Sequence, residues 1–254
     1  MLKCTMMLGD CLDVMPTIPK TADFIFADIP YGVLNAAWDK RIDLSRLWAA
    51  FDVTRKPNAA VCLMGTQPYV TELISSNKTN FSYDLIWIKG RGTGAFQARR
   101  RPLRAHEYLL VFFAAKATYT PQMRAAERSR RGVINKPSYP DSVFGPISAS
   151  SYVYGDLVFP LSWFKAEPEH ARRKIHSTQK PPSLLDWLIR TYSNEGDKVL
   201  DPTSGSGTTA VAALSCGRNV TCIEKDDGYF DASVERVRKH VRDNFIRAEI
   251  EVVR

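Results

Sequence analysis

The 254-residue chain predicts an α/β fold, with one mostly parallel sheet covered by helices on both faces and an inserted segment in its second half. Three observations predict it. Short apolar runs alternate with stretches of helical periodicity. Several of those runs are continuously apolar rather than alternating, as strands buried on both faces are. Between Ala114 and Ile175 the pattern lapses into proline, serine and glycine. Length and a hydrophobic content of 44% suffice for one well-buried domain and demand no second.

Taken in order, buried strands are expected at 22–27, 59–64, 83–88, 107–113, 198–200 and 219–223. Helices are expected at 44–54, 68–76, 183–192, 208–216 and 229–241. In the last of these, Phe230, Val234, Val237 and Val241 recur on one face, with Glu235, Arg236, Arg238 and Lys239 opposite. Pro121, Pro137, Pro140, Pro146, Pro160 and Pro168 punctuate the segment 114–175. A stretch that long without periodicity is usually functional, so the domain is expected at 1–113 and 176–254, with 114–175 inserted. No internal repeat is visible.

Composition excludes several classes. The longest apolar run, Tyr108 to Ala115, falls far short of the roughly 20 residues of a membrane helix. The N-terminal residues lack signal-peptide architecture, so an intracellular, cytoplasmic protein without a membrane partner is expected. Five cysteines (Cys4, Cys11, Cys62, Cys216, Cys222) are odd in number and show no Cys-x-x-Cys spacing, which indicates neither a disulfide framework nor a metal site. The net charge of +8 is concentrated: Lys89 to Arg131 holds eleven Lys or Arg against Glu107 and Glu127. Such a cluster suits a surface that neutralises phosphates and releases counterions. Arg91, Arg99, Arg100, Arg101, Arg104, Arg130 and Arg131 are its candidates for double-stranded DNA; a solvated basic face is the alternative.

Two motifs each follow an apolar run and begin with a carboxylate. Asp201-Pro202-Thr203-Ser204-Gly205-Ser206-Gly207 allows a tight turn with close backbone approach, and Thr208 opens a helix whose amides face the loop. That geometry suits a nucleotide-like cofactor. Gly207 is followed by Thr208-Thr209 and not by lysine, so a phosphate-clasping Walker loop is excluded. Glu224 ends the next expected strand, where an acid accepts ribose hydroxyls. The other motif, Asp28-Ile29-Pro30-Tyr31, sets an acid, a proline-stiffened turn and an aromatic ring side by side. It suits a flat, hydrogen-bonding group such as a nucleobase.

This pairing, in this order, resembles the DNA amino-methyltransferases of the β group, which act on N6 of adenine or N4 of cytosine with S-adenosyl-L-methionine on a Rossmann-like sheet. His176-Ser177-Thr178-Gln179-Lys180-Pro181 resembles the family's His-x-Thr-Gln-Lys-Pro, which implies that Thr178, Gln179 and Lys180 help hold the methionine end of the cofactor. Leu8-Gly9-Asp10-Cys11 resembles the segment beside the cofactor's adenine, with Asp10 the contact and Cys11 its neighbour. Asp201, Thr203, Gly205, Gly207, Thr208 and Glu224 complete the implied cofactor set. Trp87 to Gly94 and Leu103 to Glu107 also look like family sequence. His106 reads as a structural histidine; Trp38 and Asp39 either close over an extruded base or pack.

The resemblance implies a mechanism. The amine of a flipped adenine has its lone pair delocalised into the ring. If Asp28 accepts one N–H and the Ile29 carbonyl the other, the nitrogen is drawn toward tetrahedral geometry and can attack a methyl group, while Tyr31 stacks on the base through a cation–π contact. Pro30 fixes the turn. Ile29 stands where relatives usually carry proline, so a fixed φ is lost and an N–H regained; Thr203 stands where they often carry Phe. Carbon-5 cytosine chemistry needs a thiolate, typically after proline, and no cysteine here follows proline. The leading Asp28 favours N6-adenine over N4-cytosine by family habit. The alternatives are N4-cytosine transfer, a catalytically silent DNA-binding relative, and a small-molecule or RNA methyltransferase. The resemblance also implies restriction-modification and target recognition by 114–175. Homodimers are common among relatives, though no feature of this sequence demands one.

Overall fold

The computed structural model describes residues 1–32, 39–126, 132–136, 138, 150–154, 156–168, 175, 176 and 178–254. In chain order the elements are β1 (Leu2–Leu8), α1 (Cys11–Val14), β2 (Ala22–Ala27), α2 (Leu44–Thr54), β3 (Arg55–Gly65), α3 (Tyr69–Ser76), β4 (Phe81–Thr93) and β5 (Arg104–Phe112). There follow β6 (Arg124–Ala125), β7 (Gly132–Lys136), β8 (Ser150–Tyr154), β9 (Leu157–Val158), β10 (Trp163–Lys165), α4 (Pro182–Tyr192), β11 (Lys198–Asp201), α5 (Thr208–Ser215), β12 (Asn219–Glu224), α6 (Asp227–Asp243) and β13 (Ala248–Val253).

The chain forms two compact units. Met1–Thr120 with Ser162–Arg254 is the larger, built on a nine-stranded sheet in the order β10-β4-β5-β3-β2-β11-β12-β1-β13. Only β5 runs antiparallel, to β3 on one side and β4 on the other; every other neighbouring pair is parallel. The smaller unit, Pro121–Leu161, holds two antiparallel pairs, β6 with β9 and β7 with β8. Of the segment expected as an insertion, β10 thus pairs in the main sheet.

Side chains of the central strands alternate between two cores. Phe24, Phe26, Ala60, Cys62 and Met64 join the cluster under α4, α5 and α6, with Leu184, Leu188, Val211, Phe230, Val234 and Val237. Ile25, Ala27, Val61 and Leu63 join the opposite cluster under α2 and α3, with Leu47, Trp48, Phe51, Val70 and Leu73. Both faces being covered is why residues 24–27 of β2 and 59–64 of β3 read as unbroken apolar runs. Each such large side chain, fully buried, stabilises the fold by about 1.5–3 kcal/mol.

Helix starts follow local chemistry. Asp43 caps α2 by accepting from the Ser45 and Arg46 amides, and Asp226 caps α6 by accepting from Tyr229. Pro182 begins α4, where its missing N–H costs nothing. Two flanking strands escape the hydrophobic pattern. In β1, Lys3 and Thr5 interrupt the apolar residues; in the edge strand β13, Glu249 and Glu251 alternate with Ile250 and Val252. Among the described residues no helix is long and apolar enough to cross a membrane.

Candidate active site

Strands β2 and β11 lie side by side and parallel, with Phe24 opposite Val199 and Ile25 opposite Leu200. From β2 the chain moves to β3 on one side; from β11 it moves to β12 on the other. The loops leaving their C-terminal ends therefore diverge and open a crevice, the position where doubly wound sheets hold ligands. Asp28 ends one strand and Asp201 the other. Together they line a cavity of about 870 Å³, ample for a nucleotide-sized ligand.

On the β2 side, Asp28 is gripped from two directions. The Tyr31 hydroxyl donates to Asp28 Oδ1 at 2.8 Å, and the Lys180 ammonium pairs with Oδ2. Burial alone would pull the Lys180 ammonium down, yet the carboxylates of Asp28 and Glu107 more than compensate and raise it above the usual lysine range. Burial, reinforced by the Asp28 charge, raises the Tyr31 hydroxyl well above its ordinary value, so it stays a donor. Ile29 is 1% exposed and anchors the turn in the core beneath α2. Tyr31 also packs at 5.8 Å from the Tyr69 ring, and Arg41 donates to its carbonyl at 3.2 Å. Asp39 Oδ1 accepts from the Gly32 amide at 3.0 Å.

On the β11 side, Asp201 shapes the glycine loop. Its carboxylate accepts from the Thr203 amide at 3.0 Å and from the Thr209 hydroxyl. Burial pushes its pKa up to about 7, against the lowering effect of those two donors. Gly205 and Gly207 both take positive φ, 50° and 71°, a conformation that L side chains resist. A Cβ on Gly207 would also press to 3.2 Å on Ser233 of α6. Glu224 closes the loop: Oε2 accepts from the Gly205 amide at 2.7 Å, while Oε1 accepts from the Lys225 and Asp226 amides, each at 2.9 Å. Arg236 braces the same loop from α6, donating to the Ser206 carbonyl at 3.0 Å and to Thr208 Oγ1 at 2.9 Å.

Two further segments, around Asp10 and around His176, contribute to the walls. Asp10 caps α1, and its carboxyl is held below its usual range chiefly by the hydrogen bond from Lys225, 2.7 Å away. Cys11 beside it is buried, and burial pushes its thiol up to about 12. His176 packs 4.2 Å from the Tyr229 ring and shares Nδ1 with the Thr178 hydroxyl at 2.9 Å; burial lowers its pKa, opposed by Asp28. Gln179 Oε1 accepts from the Ile175 amide at 3.0 Å.

The cavity brings together Asp28, Ile29, Pro30 and Tyr31 with Asp10, Cys11, Thr178, Gln179, Lys180, Asp201, Thr203, Gly205, Thr208 and Glu224. Gly207 lies behind it, against α6. Arg91, Arg99, Arg100 and Arg101 are exposed on the β4–β5 hairpin, and Arg104 donates to the Gln67 carbonyl at 3.2 Å. His106 is exposed and lies edge-on to Tyr108. Arg130, Arg131, Trp38 and Ser177 lie outside the described residues. Sequence reasoning missed three contributors: the Lys180–Asp28 pair, Arg236, and a buried Lys89–Glu107 pair with Lys89 over the Trp87 ring at 5.2 Å. Lys89 and Glu107 sit in segments with family character, which was the available signal. All five cysteines are buried and free, and no group of metal-ligating side chains forms among the described residues.

One observation bears on a cofactor. Thr203 Oγ1 is buried in the cavity wall with no hydrogen-bond partner among the described residues. Buried polar atoms are normally satisfied, so a ligand with polar groups fits this wall.

Comparison with known proteins places the chain among relatives. A family model described as DNA methylase, for N6 and N4 methyltransferases, matches residues 22–235. The Type II methyltransferase M.HinfI of Haemophilus influenzae is 28% identical over 265 residues, covering 92% of this chain and 68% of the relative. The M1.HpyAVI–SAM complex superposes with a TM-score of 0.63 at 21% identity, covering 92% of this chain and 99% of that one. PvuII DNA methyltransferase, described as cytosine-N4-specific, gives a TM-score of 0.63 at 13% identity, covering 98% and 94%. At these identities the two structures show a shared fold.

Proposed function

Because the chain belongs to the N6/N4 DNA methylase family, and is thus a DNA methyltransferase, we propose that it transfers a methyl group from S-adenosyl-L-methionine to N6 of an adenine extruded from duplex DNA. The observation that carries this reading is the shared cavity: the acid–turn–aromatic motif after β2 and the glycine loop after β11 line one space at the switch point of the sheet.

The cofactor fits the glycine-loop wall. Thr203 Oγ1, the Gly205 turn and Glu224 would hold its nucleoside part with Asp10 alongside, and Thr178, Gln179 and Lys180 its methionine part. When bound, it supplies an electrophilic methyl group on a sulfonium sulfur. The chain's own residues do the rest. An ionised carboxylate offers about four lone-pair directions, so Asp28 can accept an amine N–H while retaining Tyr31 and Lys180, which orient it. The Ile29 carbonyl takes the second N–H, freeing the nitrogen lone pair. Aligning two bound reactants then removes most of the entropic cost of their meeting. The exposed arginines of the β4–β5 hairpin would bear on phosphates.

Adenine is preferred over cytosine because the motif begins with Asp28, where the N4-cytosine members of the family often begin with Ser. Incubation with labelled cofactor and mixed-sequence duplex, followed by nucleoside mass spectrometry, tests the reading. N6-methyladenine is expected. N4-methylcytosine would overturn the choice of base, and retention of DNA without transferred label would mark a silent binder.

A further inference from the structure

One exposed aromatic side chain on the β4–β5 hairpin has no part in the fold. Phe96 is 88% exposed on a single 3-10 turn, Ala95–Gln97. The turn is ordered by its own backbone: Gln97 N–H donates to the Gly94 carbonyl at 2.9 Å, and the Arg100 and Arg101 amides both donate to the Gln97 carbonyl, at 2.8 and 3.0 Å. Single exposed apolar side chains are ordinary on protein surfaces. The setting of this one is not. Between residues 91 and 104 there are five arginines and no carboxylate, and Arg99, Arg100 and Arg101 follow the aromatic tip on exposed positions.

The tip also stands close to the cavity. Thr93, paired opposite Arg104 at the end of β4, lines it, as do Trp87 and Lys89 further down the same strand. Phe96 lies three steps along the chain from Thr93, a reach of about 10 Å at most. A duplex delivering a base into the cavity must lie across this rim, with its phosphates near the arginines.

We propose that Phe96 is a wedge that enters the base stack of duplex DNA at the gap left by the extruded nucleotide, with Arg99, Arg100 and Arg101 seated on flanking phosphates. The inference rests on the reading above, that the substrate is a base flipped from duplex DNA. Extrusion breaks two stacking contacts and one base pair. An aromatic ring placed in the vacated space restores stacking to the neighbouring bases without regard to their sequence, since every base presents a π-face. Apolar wedges between base steps are a general device of proteins that deform duplexes. Phe96 is thus a positioning residue: it holds the extruded state open and touches neither the amine nor the cofactor.

The test compares Phe96→Ala and Phe96→Trp with the wild type on two duplexes, after sequencing of DNA modified by the protein has located a target. One duplex is fully paired; the other carries a mismatch opposite the target base, which makes extrusion easier. Single-turnover methyl transfer is read on the two duplexes with adenine at the target, and extrusion is read separately as the fluorescence of matching duplexes in which 2-aminopurine replaces that adenine. On the paired duplex Phe96→Ala is expected to slow transfer and diminish the extruded fraction by about ten-fold. On the mismatched duplex the defect shrinks to within about two-fold, and Phe96→Trp restores function on both. Equal defects on the two duplexes, or none on either, would overturn the wedge. If the wild type methylates neither duplex, the underlying reading fails, and the wedge with it. Because Phe96 is exposed, unchanged thermal unfolding of the variants excludes misfolding as the cause.

Discussion

Asp28 and Asp201 end adjacent parallel strands, face one cavity and are the same residue type, yet they occupy opposite environments. Asp28 is held by a charged partner, Lys180, and by the Tyr31 hydroxyl, and keeps lone-pair directions to spare. Asp201 is 3% exposed, spends both oxygens on the Thr203 amide and the Thr209 hydroxyl, and has no cationic hydrogen-bond partner among the described residues. Burial drives its pKa up to about 7. On the proposed reading the difference divides the labour: the β2 acid would serve the chemistry, and the β11 acid the architecture. Carboxylates set apart by environment in one site commonly divide roles in this way.

Breaking each acid in turn sharpens the contrast. Asp28→Ala should lower methyl transfer by about 10²–10³-fold, the scale of removing a preorganised polar contact from a reacting centre, with cofactor affinity close to wild type, and it should also cost some stability because the buried Lys180 ammonium loses its ion-pair partner. Single-turnover rates beside equilibrium binding decide it, and a fully active variant would end the assignment. Asp201→Ala should destabilise the protein by about 1–3 kcal/mol for buried donors left unpaired, seen as a lower midpoint in denaturant. Loss of transfer with unchanged stability would reverse the two roles.

Glu224 is intermediate, since its carboxylate supports the Gly205 turn while lining the cavity. Glu224→Ala should weaken cofactor binding by about 1–3 kcal/mol, measured by calorimetry; unchanged affinity would remove it from the cofactor wall. The smallest effect is a pH dependence. Native Asp201 holds its proton up to about 7, whereas the unfolded chain releases it near 3.8. Between those values the native state binds more protons, so stability from this group is greatest below pH 4 and is lost as pH rises toward 7. Asp201→Asn cannot titrate and should flatten that slope in denaturant midpoints taken across the range. An unchanged slope would place the titrating group elsewhere.

Much of this was legible in the chain. Asp28 and Asp201 announce themselves because each ends an apolar strand, and strand ends at a switch point are where α/β sheets bind. Gly205 and Gly207 are readable for a related reason, since their positive φ values require glycine. The central strands were visible because both faces are buried; β1 and β13 were not, because polar residues interrupt or alternate with their apolar ones. Pairings across long separations left no local trace. Lys180 and Asp28 are 152 residues apart, and Arg236 reaches the Ser206 carbonyl from a helix face that the hydrophobic pattern marked only as polar. Such contacts are set by tertiary packing, which no periodicity records.

The most direct measurement is a crystal structure of the protein with duplex DNA and a non-reactive cofactor analogue. The account predicts the target base extruded into the cavity, its amine within about 2.7–3.2 Å of an Asp28 carboxylate oxygen and of the Ile29 carbonyl, facing the analogue held by the glycine loop. A base left in the duplex stack, or an amine held away from Asp28 on the far side of the cavity, would contradict it.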